Sequence, residues 1–133
     1  MHILVADDDR AALESLSGFL QRRNHHLTMA ASGPEACRCV GEDPPDLVIT
    51  DIQMPGMDGI ALLKSIRERY PDLPVILMTG HETVETAVAA LRNRAYDYFR
   101  KPVELQNLLD CIDRIGEEYV PPWKRDNGRH PEQ

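Results

Sequence analysis

Short, wholly apolar runs alternate five times with longer stretches in which apolar residues return every three or four positions. The first habit marks buried strands and the second amphipathic helices, because side chains repeat every two residues in one and every 3.6 in the other. His2 to Ala6 is the first apolar run, and it stops abruptly at Asp7-Asp8-Asp9. Leu13, Leu16, Phe19 and Leu20 then recur at helical spacing, and Asn24, which tolerates the left-handed conformation, ends that helix. His26 to Ala31 reads as the second strand, with Leu27, Met29 and Ala31 alternating. Ser32 is placed to cap a second helix with Pro34 in its first turn, and Pro44-Pro45 closes it. Leu47 to Thr50 forms the third strand and delivers Asp51; the turn-rich Met54-Pro55-Gly56-Met57-Asp58-Gly59 follows. Leu62, Leu63 and Ile66 mark the third helix, which Pro71 stops. Val75 to Met78 is the fourth strand, ending at Thr79-Gly80, and Val84, Ala87, Val88 and Leu91 line the fourth helix. Tyr96 to Phe99 is a short fifth strand before Lys101-Pro102, and Leu105, Leu108, Leu109, Ile112 and Ile115 share one face of the last helix. Periodicity then ceases, so the pattern predicts one domain over 1–119 and a tail or linker over 120–133.

Strands that are apolar throughout, separated by amphipathic helices, imply a parallel sheet covered on both faces. The predicted class is α/β: a doubly wound, five-stranded (βα)5 sandwich with right-handed crossovers. The flavodoxin-like order 2-1-3-4-5 is adopted as a common solution for such a chain rather than read from the residues.

At 133 residues the chain is long enough for one proper core. Its net charge of −7 argues against a nucleic-acid or acidic-membrane surface on this domain. No apolar run approaches the ~18 residues of a membrane span, and no secretory leader is visible. Cys37, Cys39 and Cys111 lack metal spacing and read as free buried thiols, which suits a cytoplasmic location.

Ligands of open α/β sheets bind beyond the carboxyl ends of the strands, where the strand order reverses. The first and third strands end in Asp7, Asp8 and Asp51, the fourth in Thr79 and the fifth in Lys101. Strand ends are often polar, so any one of these residues alone says little; four strands carrying suitable groups at one end say more. Three carboxylates in one crevice repel one another, and a hard cation such as Mg2+ resolves the conflict. Asp51 is then a candidate nucleophile toward phosphorus, Lys101 a point charge for a phosphoryl oxygen, and Thr79 a hydroxyl donor, with Gly80 leaving room for the group.

The segments ILVADDD (3–9), VITDIQMPGMDG (48–59), ILMTG (76–80) and AYDYFRKP (95–102), in this order, resemble the receiver domains of two-component response regulators. The resemblance runs from about residue 2 to about 118. It implies that Asp51 is phosphorylated by a sensor histidine kinase and that Asp8, Asp51 and the backbone carbonyl of Gln53 ligate Mg2+, with Asp7 reaching it through water. It implies a cis bond between Lys101 and Pro102. It also implies a switch in which Thr79 moves to the phosphoryl group and the Tyr98 ring turns inward. The face of the fourth helix, fifth strand and fifth helix would then engage an output domain or a second copy of the chain. Gln53, Gly80 and His81 stand where similar proteins tune the phosphoryl lifetime. Arg94 and Asn24 replace glycines common in the family, and Val103 a common phenylalanine; these departures concern loop geometry rather than chemistry.

A receiver is a phosphoryl acceptor rather than a turnover enzyme. The main rival is a haloacid-dehalogenase-type phosphatase using Asp7 and Asp9, but the late acidic pair such an enzyme needs does not fall at a strand end. An unphosphorylated interaction module on the same fold is the second rival, and such modules usually lack part of the five-residue set present here. A flavin or nucleotide binder would need a glycine-rich loop after the first strand. His25 and His26 read as solvated positions by an edge strand, His81 as a neighbour of the site, Met54 and Met78 as packing, and Arg67-Glu68-Arg69 as a solvated helix face. Trp123 belongs to a Pro-rich stretch that favours a linker toward an output domain.

Overall fold

The computed structural model describes residues 1–119. The chain divides into two compact units, Met1–Val103 and a second that begins at Glu104. The first holds β1 (His2–Ala6), α1 (Arg10–Gln21), β2 (His26–Ala30), α2 (Gly33–Glu42), β3 (Leu47–Asp51), α3 (Gly59–Arg69), β4 (Val75–Thr79), α4 (Val84–Arg92) and β5 (Asp97–Arg100). The second holds α5 (Leu105–Glu118). The strands form one sheet in the order β2-β1-β3-β4-β5, every neighbouring pair parallel, as expected for a flavodoxin-like fold.

Burial explains the strand sequences. β3 and β4 lie inside the sheet and are buried at every position, which is why they read as unbroken apolar runs. Ile49, Ile76 and Leu77 are fully buried, each contributing about 1.5–3 kcal/mol over exposure. β2 lies at an edge and is only partly covered, and its Met29 is exposed, contrary to the inward alternation read from sequence. α1 packs on β1 and β2, and α2 lies against the same strands and alongside α3.

Side chains satisfy orphan amides at the starts of α1 to α4, while α5 begins at Glu104 without a side-chain cap. Asp9 accepts from Ala11 and Ala12, Ser32 from Glu35 and Asp58 from Ala61, while Thr83 and Thr86 form a reciprocal capping box on α4. The helix ends follow the family departures: Asn24 and Arg94 both take positive φ, 70° and 60°. Arg94 therefore adopts the left-handed turn a glycine would make, without a shift of register. The Lys101–Pro102 bond is cis, as the resemblance implies.

Several expectations need correction. β2 ends at Ala30 rather than Ala31, and β5 runs Asp97–Arg100, one residue later than the apolar pattern placed it. Val84 and Leu91 are both 80% exposed, Val88 is exposed too, and only Ala90 of α4 is buried. The apolar stripe thus faces solvent, and the helix turns Ala90 inward instead. Cys37 and Cys39 are half-buried rather than buried, although all three thiols are free. Arg67 is no solvated side chain. Its guanidinium donates to the carbonyls of Tyr70, Leu73 and Arg94, tying the end of α3 to the turn after α4. In α5, Leu108, Leu109, Cys111, Ile112 and Ile115 are buried, but Leu105 is exposed. Trp123 and the predicted tail lie outside the described residues.

Candidate functional site

Strand register builds the site. Ala6 pairs with Thr50 across β1 and β3, so Asp7 and Asp51 emerge side by side where the sheet ends. Asp51 pairs with Met78 on β4, and Thr79 with Arg100 on β5, which places Lys101 one step beyond. The Lys101 amide donates to the Thr79 carbonyl at 2.7 Å and holds that corner. Chain topology does the rest: the order reverses at β1, so the crevice opens between β1 and β3.

Carboxylate oxygens of Asp7, Asp8 and Asp51 all lie within 4.8 Å of one another. Asp7 and Asp51 are buried and Asp8 is exposed. Lys101 Nζ bridges the buried pair, 3.1 Å from Asp7 Oδ2 and 3.2 Å from Asp51 Oδ2. Asp7 Oδ1 accepts from the Asp9 amide, and Asp51 Oδ1 from the Gln53 amide at 3.3 Å. Burial pushes the Asp51 carboxyl above its ordinary range, and the Asp7 charge adds to this; the charge and hydrogen bond of Lys101 offset it only in part. Burial alone would lower the Lys101 ammonium, but the Asp7 hydrogen bond and the two carboxylate charges outweigh it and raise it. The surrounding carboxylates thus favour the charged form of Lys101, while burial disfavours the charged form of Asp51.

The fit to a cation rests on donor chemistry: three carboxylates, all hard oxygens, surround one point, and a single lysine leaves excess negative charge. Beside them opens a cavity of about 510 Å³ lined by Asp8, Gln53, Met54, Pro55 and Asp58, among others. Among the described residues this is the one group of three or more potential metal ligands.

The remaining candidates fall around this cluster. Thr79 is fully buried, and its hydroxyl bonds Gln53 Oε1 at 2.8 Å and accepts from the His81 amide at 3.0 Å. A Cβ at Gly80 would meet nothing within 4 Å, so its glycine leaves the approach open without being required by packing. His81 is exposed. Tyr98 does not join the acidic cluster. Its hydroxyl pairs with Thr86 Oγ1 on α4 at 3.0 Å. Asp9, the partner invoked for a phosphatase, is occupied as the α1 cap.

Two participants escaped the sequence reading. A Cβ on Gly59 would collide with the Asp51 carbonyl oxygen and stand 2.8 Å from Ile52 Cα, so glycine there lets α3 start against the end of β3. The signal was present in the Asp58-Gly59 pair that closes the turn. Thr86 as partner of Tyr98 had no sequence signal, because it depends on the orientation of α4.

A family model for the response regulator receiver domain matches residues 3–113. The chain belongs to that family. This receiver is 45% identical over 112 residues to the response regulator protein FleR of Pseudomonas aeruginosa, covering 84% of the chain and 24% of FleR. It is 38% identical to the DNA-binding transcriptional regulator NtrC of Klebsiella pneumoniae, over 86% of the chain and 24% of NtrC. The receiver spans about a quarter of the length of these curated relatives. Among solved structures, the receiver domain of NtrX from Brucella abortus superposes with a TM-score of 0.81 at 35% identity, covering 88% of this chain and 99% of that one. A CheY-like receiver from Methanospirillum hungatei gives 0.83 at 31% identity, covering 87% and 94%. Neither set of relatives lends support to the phosphatase alternative. No helix among the described residues is long and apolar enough to cross a membrane.

Proposed function

We propose that Asp51 accepts a phosphoryl group from a phosphohistidine of a sensor histidine kinase. The observation that carries this reading is the placement of the Lys101 ammonium between the Asp7 and Asp51 carboxylates, 3.1 and 3.2 Å away, with Asp8 alongside. An Asp51 oxygen attacks phosphorus as the phosphorus–nitrogen bond of the donor breaks, and the imidazole leaves with the bonding pair and takes up a proton. Lys101 turns toward an oxygen of the incoming group and compensates its charge. Thr79 donates its hydroxyl to another oxygen once the group is in place. Asp8, Asp51 and the Gln53 carbonyl would hold Mg2+, with Asp7 behind them, and the ion supplies neutralisation of phosphoryl charge when bound.

Thr79 and Tyr98 then act as the switch. The exposed Val84, Val88 and Leu91 of α4 support a partner-binding role for the neighbouring surface. In this reading residues 1–119 work as one cytoplasmic signalling domain without turnover chemistry. Residues 120–133 lead toward an output domain or partner, or a second copy binds the switched face. The domain itself makes no nucleic-acid contact. Incubation with Mg2+ and acetyl phosphate, followed by intact mass, tests the acceptor: one phosphoryl per wild-type chain and none on Asp51→Asn is expected. Stoichiometric modification of the variant overturns the assignment of Asp51.

A further inference from the structure

We propose that the Gln53 side chain is a resting-state latch on Thr79, a regulation of the same site that rests on Asp51 being the acceptor. A threonine hydroxyl has one proton to give and lone pairs to offer. Thr79 Oγ1 already accepts the His81 amide hydrogen at 3.0 Å. Its proton is therefore directed to Gln53 Oε1, 2.8 Å away. The other end of the same amide donates to the His81 carbonyl at 3.4 Å. Gln53 thus reaches from the loop after β3 to the end of β4, its amide oxygen held by Thr79, the last residue of that strand, and its amide nitrogen by His81 just beyond it. Thr79 is fully buried, so no water replaces this partner freely.

A phosphoryl oxygen on Asp51 offers only acceptors and must compete with Gln53 for that single proton. Switching then requires Gln53 to let go, and the resting state is favoured by the hydrogen bond it holds. A net hydrogen bond of ordinary strength corresponds to a bias of about 2- to 10-fold. Gln53 is a positioning residue here: it acts through Thr79 and through its own backbone independently of the amide.

The test uses Gln53→Met, which keeps side-chain length at this exposed position and removes both polar atoms. Free protein with Mg2+ is followed by the backbone amide signals of Gly80 and His81, and beryllofluoride, a phosphoryl mimic, is titrated into both proteins. Displacement of those two signals together with about 2- to 10-fold tighter beryllofluoride binding, both lost when Thr79 is also changed to Val, is the expected result. Signals that stay in place, signals that move equally in the Thr79→Val background, or an unchanged or weaker affinity overturn the latch. Wild-type protein that takes up no beryllofluoride sinks the acceptor reading and the latch together, whereas uptake with unaltered affinity in Gln53→Met sinks the latch alone.

Discussion

Removing the charge of Asp51 should stabilise the fold when no divalent ion is present. At an effective dielectric of about 20, Lys101 at 3.2 Å attracts the carboxylate by roughly 5 kcal/mol. Asp7, within 4.8 Å, repels it by at least about 3.5 kcal/mol on the same scale, and the exposed Asp8 adds a smaller repulsion screened by solvent. Attraction and repulsion nearly cancel. The deciding contribution is then the desolvation of a buried carboxylate, the first cause of its raised pKa. A carboxyl raised in the folded state contributes stability below its unfolded pKa and loses it as pH rises, so at neutral pH ionised Asp51 is a cost. Asp51→Asn removes that cost, leaves Lys101 with Asp7, and should gain roughly 1–2 kcal/mol, or about 3–8 °C in Tm. Circular-dichroism melts at pH 7.5 in EDTA and in 10 mM MgCl2 provide the assay. Wild-type protein should recover in Mg2+, by about 2.7 kcal/mol at a hundredfold excess over Kd, while the variant, lacking one of the proposed ligands, recovers less. A variant melting at or below wild type in EDTA, or gaining as much from Mg2+, refutes the electrostatic account.

Gly59→Ala should cost about 2–4 kcal/mol, because the new methyl meets the backbone at Asp51 and Ile52; urea unfolding checks this, and a loss below about 0.5 kcal/mol contradicts it. Arg94→Gly should gain about 1 kcal/mol by relieving the left-handed turn, and a destabilised variant would show that the turn carries no strain. Thr86→Val should free the Tyr98 hydroxyl and broaden its ring signals in NMR spectra, with unchanged signals counting against the Thr86 bond. Burial lowers the His2 imidazole, so the unfolded chain binds the proton first and stability falls as pH drops through about 6.5. His2→Asn should flatten the fall of Tm in that window, and parallel curves in the two proteins would exclude His2 as its source.

The fold was legible because each inner strand is buried on both faces and so leaves an unbroken apolar signature, as Leu47–Ile49 and Val75–Met78 do. The acidic cluster was legible for a related reason: Asp7, Asp51 and Lys101 stand at the points where those signatures end. Orientation was not. Val84, Val88 and Leu91 satisfy the helical period as well as any core stripe, and nothing in spacing says that Ala90 points inward instead. Arg67 reads as one charge in a polar run, because spacing does not reveal backbone carbonyl partners, two of them local and the third, Arg94, brought near only by folding. The acceptance of Thr79's proton by Gln53 was equally invisible, since it depends on two loops meeting.

The Arg67 guanidinium has a mechanical consequence for α4. It fastens the carbonyl of Arg94, just past the helix's C-terminal end, whereas at the other end hydroxyls of Thr83 and Thr86 provide the cap and a single link to Tyr98. A rod anchored at one end pivots there. Nine residues span roughly 13 Å, so a tilt of about 10° would carry Val84 through about 2 Å while Arg92 hardly moves. Any tilt of α4 would therefore be largest at its N-terminal turn, beside the loop that follows β4, and would have to stretch the Thr86–Tyr98 bond.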